Sequence, residues 1–283
     1  MSITSSAVLV EQSISVWTAN KLDRSATDKI ITDNAAASNA AQVRKNLMAG
    51  SSLRKDIADF AAGCRLWHNT KTLPWADRGS RLLPTSLFLD YKQEANLRRD
   101  KFNAQVDTFL ANYPSLVQTA GNYLGSLFNP DDYPSVDEVA TKFNYKLVFS
   151  PVPDGNDFRL DVPQQELDEI KSQYAIDFDA RMQDAMKDAW ERLHKTLTHM
   201  SNKLDGTDDD KKKRFHDTFI TNAQDLCGLL SHLNVTKDPQ LESARKQLES
   251  ALTLTDVDLI KESSFARGEL KTKVDNVLGQ FEW

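Results

Sequence analysis

The spacing of hydrophobic positions along this 283-residue chain changes several times, and each change marks an element. Residues 7–17 put Val8, Val10, Ile14 and Val16 on one parity and Glu11, Ser13 and Ser15 on the other, the alternation of a half-buried strand. From Asn20 to about Gly50 no apolar stripe persists, and the Ala, Ser, Asn and Asp content predicts an exposed loop with a weak helix, expected to be the most mobile part. Helical spacing returns at Leu53, Ile57, Phe60, Ala61 and Cys64, then stops before a polar, proline-containing stretch, so residues 66–84 are expected to form a long structured loop. A helix follows from about Thr85 through Phe88, Tyr91, Ala95, Phe102, Val106 and Leu110, with Pro114 marking its end or a kink, and a short helix covers about 115–127. Ser135 followed by Glu138 is a capping box that opens a short helix. Residues 145–150 and 158–162 read as two strands joined through Asp154 and Gly155, and with 7–17 they are expected to form a small three-stranded sheet.

Beyond Pro163 the stripe Leu167, Ile170, Tyr174, Phe178, Met182, Ala185, Ala189, Leu193, Leu197, Met200, Leu204 advances by three or four throughout, with Asp161 as candidate N-cap. It predicts one helix of about 40 residues, roughly 60 Å long. Amphipathic helices over 212–233 and 239–252 supply partners, and a last one opens at Thr255, is interrupted at Gly268 and resumes toward Phe281. The expected fold is mainly α: a long-helix bundle or helical hairpin with a small antiparallel β-sheet. The expected organisation is a mixed region over 1–162 and a helical region over 163–283.

Composition narrows the class. A 40% hydrophobic content is enough for a core, and Cys64 and Cys227 form neither a disulfide framework nor a zinc pair, which suits a reducing compartment. No signal-peptide pattern and no 18-residue apolar run is present, so neither secretion nor membrane insertion is expected. Residues 1–150 carry 17 basic and 15 acidic side chains and 151–283 carry 18 and 26, so the second half is not a nucleic-acid surface overall.

Chemistry-bearing motifs are sparse. The phosphate-cradling glycine loops, the nucleophile elbow and His-Glu-x-x-His are missing. His194 and His199 are five apart and face different ways, His216 and His232 have no ligand at metal spacing, and both cysteines read as small buried residues. No catalytic residue, metal or cofactor is assigned. Asp208–Arg214 reads as a solvated charged turn. The one informative stretch is 54–101, with ten basic and six acidic side chains. There Trp67, His68, Trp75, Arg78, Arg81, Arg98 and Arg99 form a candidate ligand or single-stranded nucleic-acid site, because aromatic rings stack on bases while guanidinia meet phosphates. The alternative is structural, with the tryptophans pinning a long loop to the helices and the charges solvated.

At Thr72-Leu-Pro-Trp-Ala-Asp-Arg-Gly-Ser-Arg-Leu-Leu-Pro, Asn112-Tyr-Pro, Leu127-Phe-Asn-Pro-Asp-Asp-Tyr-Pro-Ser and Pro151-Val-Pro-Asp-Gly-Asn-Asp-Phe-Arg, the chain resembles an uncharacterised family of tailed-phage and prophage proteins. The likeness runs nearly the whole length, through Trp190-Glu-Arg-Leu and Leu233-Asn-Val-Thr-Lys-Asp-Pro. It implies an accessory protein of the host cytoplasm, encoded near DNA-metabolism or AAA+ ATPase genes. The leading expectation is a non-enzymatic interaction or scaffold protein with a protein partner or self-association. The alternatives are a single-strand binding or annealing factor and a virion structural protein. The nucleic-acid alternative predicts single-strand binding that weakens steeply with salt and falls in Trp75→Ala, measured by low-salt filter binding.

Overall fold

The longest apolar stripe becomes the longest helix: Gln164–Leu204 is one uninterrupted α-helix of 41 residues. The computed structural model describes residues 3–76, 79–154, 162–205, 218–253, 255 and 257–281. In chain order the elements are α1 (Ile3–Ser6), β1 (Ala7–Ser15), β2 (Asn20–Leu22), α2 (Arg24–Asp33), β3 (Arg44–Asn46), α3 (Leu53–Lys71), β4 (Leu73–Pro74) and β5 (Ser80–Pro84). There follow α4 (Phe88–Leu124), α5 (Val136–Ala140), β6 (Asn144–Pro151), α6 (Gln164–Leu204), α7 (Thr218–Leu233), α8 (Pro239–Thr253), α9 (Val257–Glu262) and α10 (Ser264–Gln280). The fold is mainly α with a minor β component, as the periodicity predicts.

The chain divides into two compact units: one holds 1–11, 69–91 and 148–283, the other 12–68 and 92–147. The division does not fall at residue 162, because segments of the first half pack with the long helix.

In the first unit, the buried side chains of α6 all lie along its second half. Ala185, Ala189, Leu193, Leu197, Met200 and Leu204 are buried there among residues of α7, α8, α10 and the strands. Polar contacts fasten this part: Trp190 Nε1 donates to Asp238 Oδ2 at 2.9 Å, and Ser201 Oγ donates to Asp275 Oδ1 at 2.5 Å. The sheet runs β4-β5-β1-β6, with β1 antiparallel to β5 in the register Ala7↔Pro84 to Glu11↔Ser80. Because β1 lies inside the sheet, Leu9 and Val10 are both buried, and the alternation emerges only beyond Glu11.

Four expectations need correction here. The stretch 66–84 is not a loop: its first residues continue α3 to Lys71, and Leu73–Pro74 and Ser80–Pro84 pair antiparallel as β4 and β5. Pro114 does not end its helix, since α4 runs through it for 37 residues. The last helical region breaks at Ser263, whose side chain accepts from Ala266 N at 3.3 Å and caps α10, and not at Gly268, which lies inside that helix. The sheet takes its extra strands from β4 and β5; the expected strand at 158–162 and the candidate cap Asp161 lie outside the described residues, Val162 apart.

In the second unit, Trp17, Phe102, Phe109, Tyr113, Phe143 and Tyr145 build an aromatic core against Ile57, Ala61 and Cys64 of α3. Burial pushes the Tyr113 and Tyr145 hydroxyls up to about 12. The segment 20–50 is ordered where a loop is expected, with the β2/β3 hairpin and α2 inside it. Lys45 supplies the tie: its ammonium meets Asp132 at 2.5 Å and Asp23 at 3.5 Å and donates to Leu127 O at 2.9 Å. A buried ammonium is tolerated only when so surrounded. Gly50, at φ +85°, turns the chain toward α3, and the Tyr123 ring fills the place a Cβ would take. Ser135 caps α5 by accepting from Glu138 N at 3.2 Å, as its motif requires.

Within α8 the buried Arg245 is held by Glu242 and Glu249, each at 2.9 Å. Hydrogen bonding from Arg245 holds the Glu242 carboxyl down at about 2, below its usual 4.5. A carboxyl lowered by folding stabilises the protein above the unfolded pKa and loses that contribution as pH falls toward the folded one. Thermal stability should therefore drop between about pH 4.5 and about pH 2, and Glu242→Gln should flatten that limb while lowering stability at neutral pH, measured by melting across pH.

Candidate interaction site

A helix that stops leaves its last carbonyls without intrahelical donors. At the end of α3 this need is met by two arginines. Arg81 of β5 donates Nε to Thr72 Oγ1 at 2.7 Å and Nη2 to Thr72 O at 3.2 Å. Arg192 of α6 donates to Thr70 O at 2.6 Å, Thr72 O at 2.8 Å and Asn69 O at 3.0 Å. Asp188, one turn earlier on α6, pairs with Arg192 at 2.7 Å and fixes its orientation. Burial lowers the Arg81 pKa, with Asp188 opposing. Cations at a helix C-terminus also complement its dipole.

The sequence-predicted residues fall into two groups. Trp67, His68, Arg98 and Arg99 belong to one unit, and Trp75 and Arg81 to the other; Arg78 lies outside the described residues. Arg98 lies over the Trp67 ring at 4.7 Å and pairs with Glu94 at 2.7 Å. Arg99 is close to Asp100 at 3.6 Å. His68 is buried. Trp75 is only 5% exposed, its ring edge-on to Phe178 at 5.4 Å with the Arg181 guanidinium at 6.0 Å. It anchors the strand region to α6 and offers no open ring for a base. Arg81 is spent on carbonyls. The structural alternative describes Trp75, whereas it expects a solvated charge where Arg81 instead bonds Thr72.

Beside the α3 terminus, and wholly within the first unit, lies a groove of about 930 Å³. Leu87, Leu226 and Leu229 are its apolar lining, and Lys71, Arg192 and Lys195 bring positive charge against the single lining carboxylate of Asp225. His232 Nδ1 is 2.9 Å from Ser86 Oγ at its edge. Lys71 and Lys195 make no ion pair among the described residues. Sequence reasoning missed Arg192, Lys195 and Lys71. The available signal was the Asp188/Arg192 spacing of four on a long helix, but only the end of α3 shows what that arginine faces.

Among the described residues no group of three metal-ligating side chains occurs, and no helix is long and apolar enough to cross a membrane. Desolvation raises both thiols, Cys227 to about 11, which keeps them protonated and unreactive. No protein-family model, curated protein or solved structure matches the chain.

Because Trp75 is a core residue, Trp75→Ala should lower unfolding free energy by about 3–5 kcal/mol in urea titration, and any loss of ligand binding in that variant should follow the loss of fold.

Proposed function

We propose that the protein is a non-enzymatic interaction or scaffold protein that works through its helical surfaces, with the first half of α6 as its principal platform. One observation carries this reading. The same apolar period runs along the whole helix, yet every buried residue lies at or beyond Ala185, and none of residues 164–184 is buried. Phe178 and Met182 lean on the core and Tyr174 donates to Pro153 O at 2.6 Å, but Ile170 is 36% and Ile176 64% exposed. A rigid helix presenting apolar side chains between charges is the form that helix-mediated association uses. The first part of α6 spans roughly 30 Å at about 1.5 Å per residue, long enough for several turns of a partner helix.

The resemblance to tailed-phage proteins extends this reading to an accessory factor of the host cytoplasm, with an AAA+ ATPase or a DNA-metabolism protein as partner. Among the described residues the single-strand alternative retains Trp67, Arg98 and Arg99 as candidate contacts, with the ring of Trp67 covered on one face by Arg98. Filter binding at low salt separates the two: retention of single strands that is lost in Trp67→Ala supports the alternative.

Ile176→Asp places a charge on an exposed position and should leave the melting temperature within the few degrees typical of surface changes. It should reduce self-association in light scattering, or capture of a protein partner from infected cells. A variant that matches the wild-type chain in both assays refutes the platform.

A further inference from the structure

We infer that the basic groove beside the end of α3 receives the first half of α6 from a second copy of this chain. This rests on the platform reading above and names its receptor.

The groove has cations in excess and an apolar lining. Lys71 and Lys195 make no ion pair among the described residues, while Arg192 is already committed to Asp188 and three carbonyls. The ammoniums of Lys71 and Lys195 therefore provide the charge available among the described residues. Gly228 of α7 lines the same groove, and a Cβ built on it meets nothing within 4 Å. The space beside it is thus open to an incoming side chain. A short helical segment of two turns, about 11 Å long and 10 Å across, has a volume of the order of 850 Å³, comparable with the groove's 930 Å³. The groove fits two turns around Ile176, not a globular body, and leaves Glu169, about 10 Å along the helix, at its mouth.

The occupant must be acidic with a projecting apolar side chain. Residues 164–184 carry Glu166, Asp168, Glu169, Asp177, Asp179 and Asp184 against Lys171 and Arg181. On this helix Glu169 and Asp179 stand seven residues before and three after Ile176, so they share its face. Ile176 is the most exposed apolar residue of α6. An isoleucine between two carboxylates complements a leucine-lined groove rimmed by two lysines. Asp225 then faces the segment's own cations, which sets its direction. Opposite charges aligned in this way select the partner and raise the association rate more than they add affinity.

Two independent measurements test it. In the first, equal amounts of ¹⁴N and ¹⁵N protein are mixed and treated with a zero-length carbodiimide, which joins amines to carboxylates in contact. Mixed-isotope peptides linking Lys71 or Lys195 to Glu169 or Asp179 are expected. Crosslinks that avoid these four residues overturn the inference.

In the second, light scattering compares the wild-type chain with four variants. Lys71→Glu/Lys195→Glu and Glu169→Lys/Asp179→Lys should each weaken self-association by at least about tenfold, and the two sets combined should restore it. Gly228→Leu fills the groove while replacing a poor helix former, so it should weaken association without lowering the melting temperature. A wild-type chain that stays monomeric, or a combined variant no better than its parents, overturns the inference. If association survives the groove substitutions yet is lost in Ile176→Asp, the groove is excluded and the platform stands. If neither the charge reversals nor Ile176→Asp has an effect, both fall.

Discussion

The termination of α3 is the constraint from which much of the first unit follows. Its last carbonyls lack intrahelical donors, and Thr72 beyond them is buried, where an unsatisfied carbonyl is destabilising by about 1–3 kcal/mol. Arg192 meets three of these oxygens from α6 and Arg81 meets Thr72 from β5. A planar guanidinium with five donors can serve several acceptors at once, which an ammonium cannot do with the same geometry. The position of β4 against α6 is thus set by hydrogen bonds before any packing is considered, and the small side chains Ala185 and Ala189 leave room for the apolar residues Leu73 and Leu82 in the same core.

Much of this architecture was legible in residue spacing, and the failures share a cause. The stripe from Leu167 to Leu204 gave the long helix because nothing interrupts it, and Ser135 gave the start of α5 because its oxygen acts three residues away. Both are local effects. The strands β4 and β5 were hidden because Leu73–Pro74 is too short to alternate and Ser80–Pro84 pairs chiefly with β1, far away in sequence. Order in 20–50 depends on Lys45 reaching Asp132, a contact that composition cannot reveal. Of the candidate site, Trp67 and Arg98 do come together, whereas Trp75 and Arg81 are taken up by core and capping duties. Tryptophan near arginine in a sequence describes a base platform and a structural anchor equally well; burial decides between them.

The charge distribution has a corresponding logic. The acidic excess of the second half is concentrated on the uncovered start of α6, and a cluster of cations gathers where α3 ends. Within α8 the opposite solution appears, since Arg245 neutralises itself with Glu242 and Glu249 on its own helix. The one arrangement is closed and local; the other leaves lysines at a groove with room beside them.

The inner position of β1 bears on how the chain is made. Of the strands in its sheet this one is made first, yet β5 begins 65 residues after its end and β6 follows later still, from Asn144. At about 5–20 residues per second, the nascent protein carries an unpaired Ala-Val-Leu-Val segment for several seconds at least before either neighbour exists. Both hydrogen-bonding edges of that segment stay open to other nascent chains on the same message for that time.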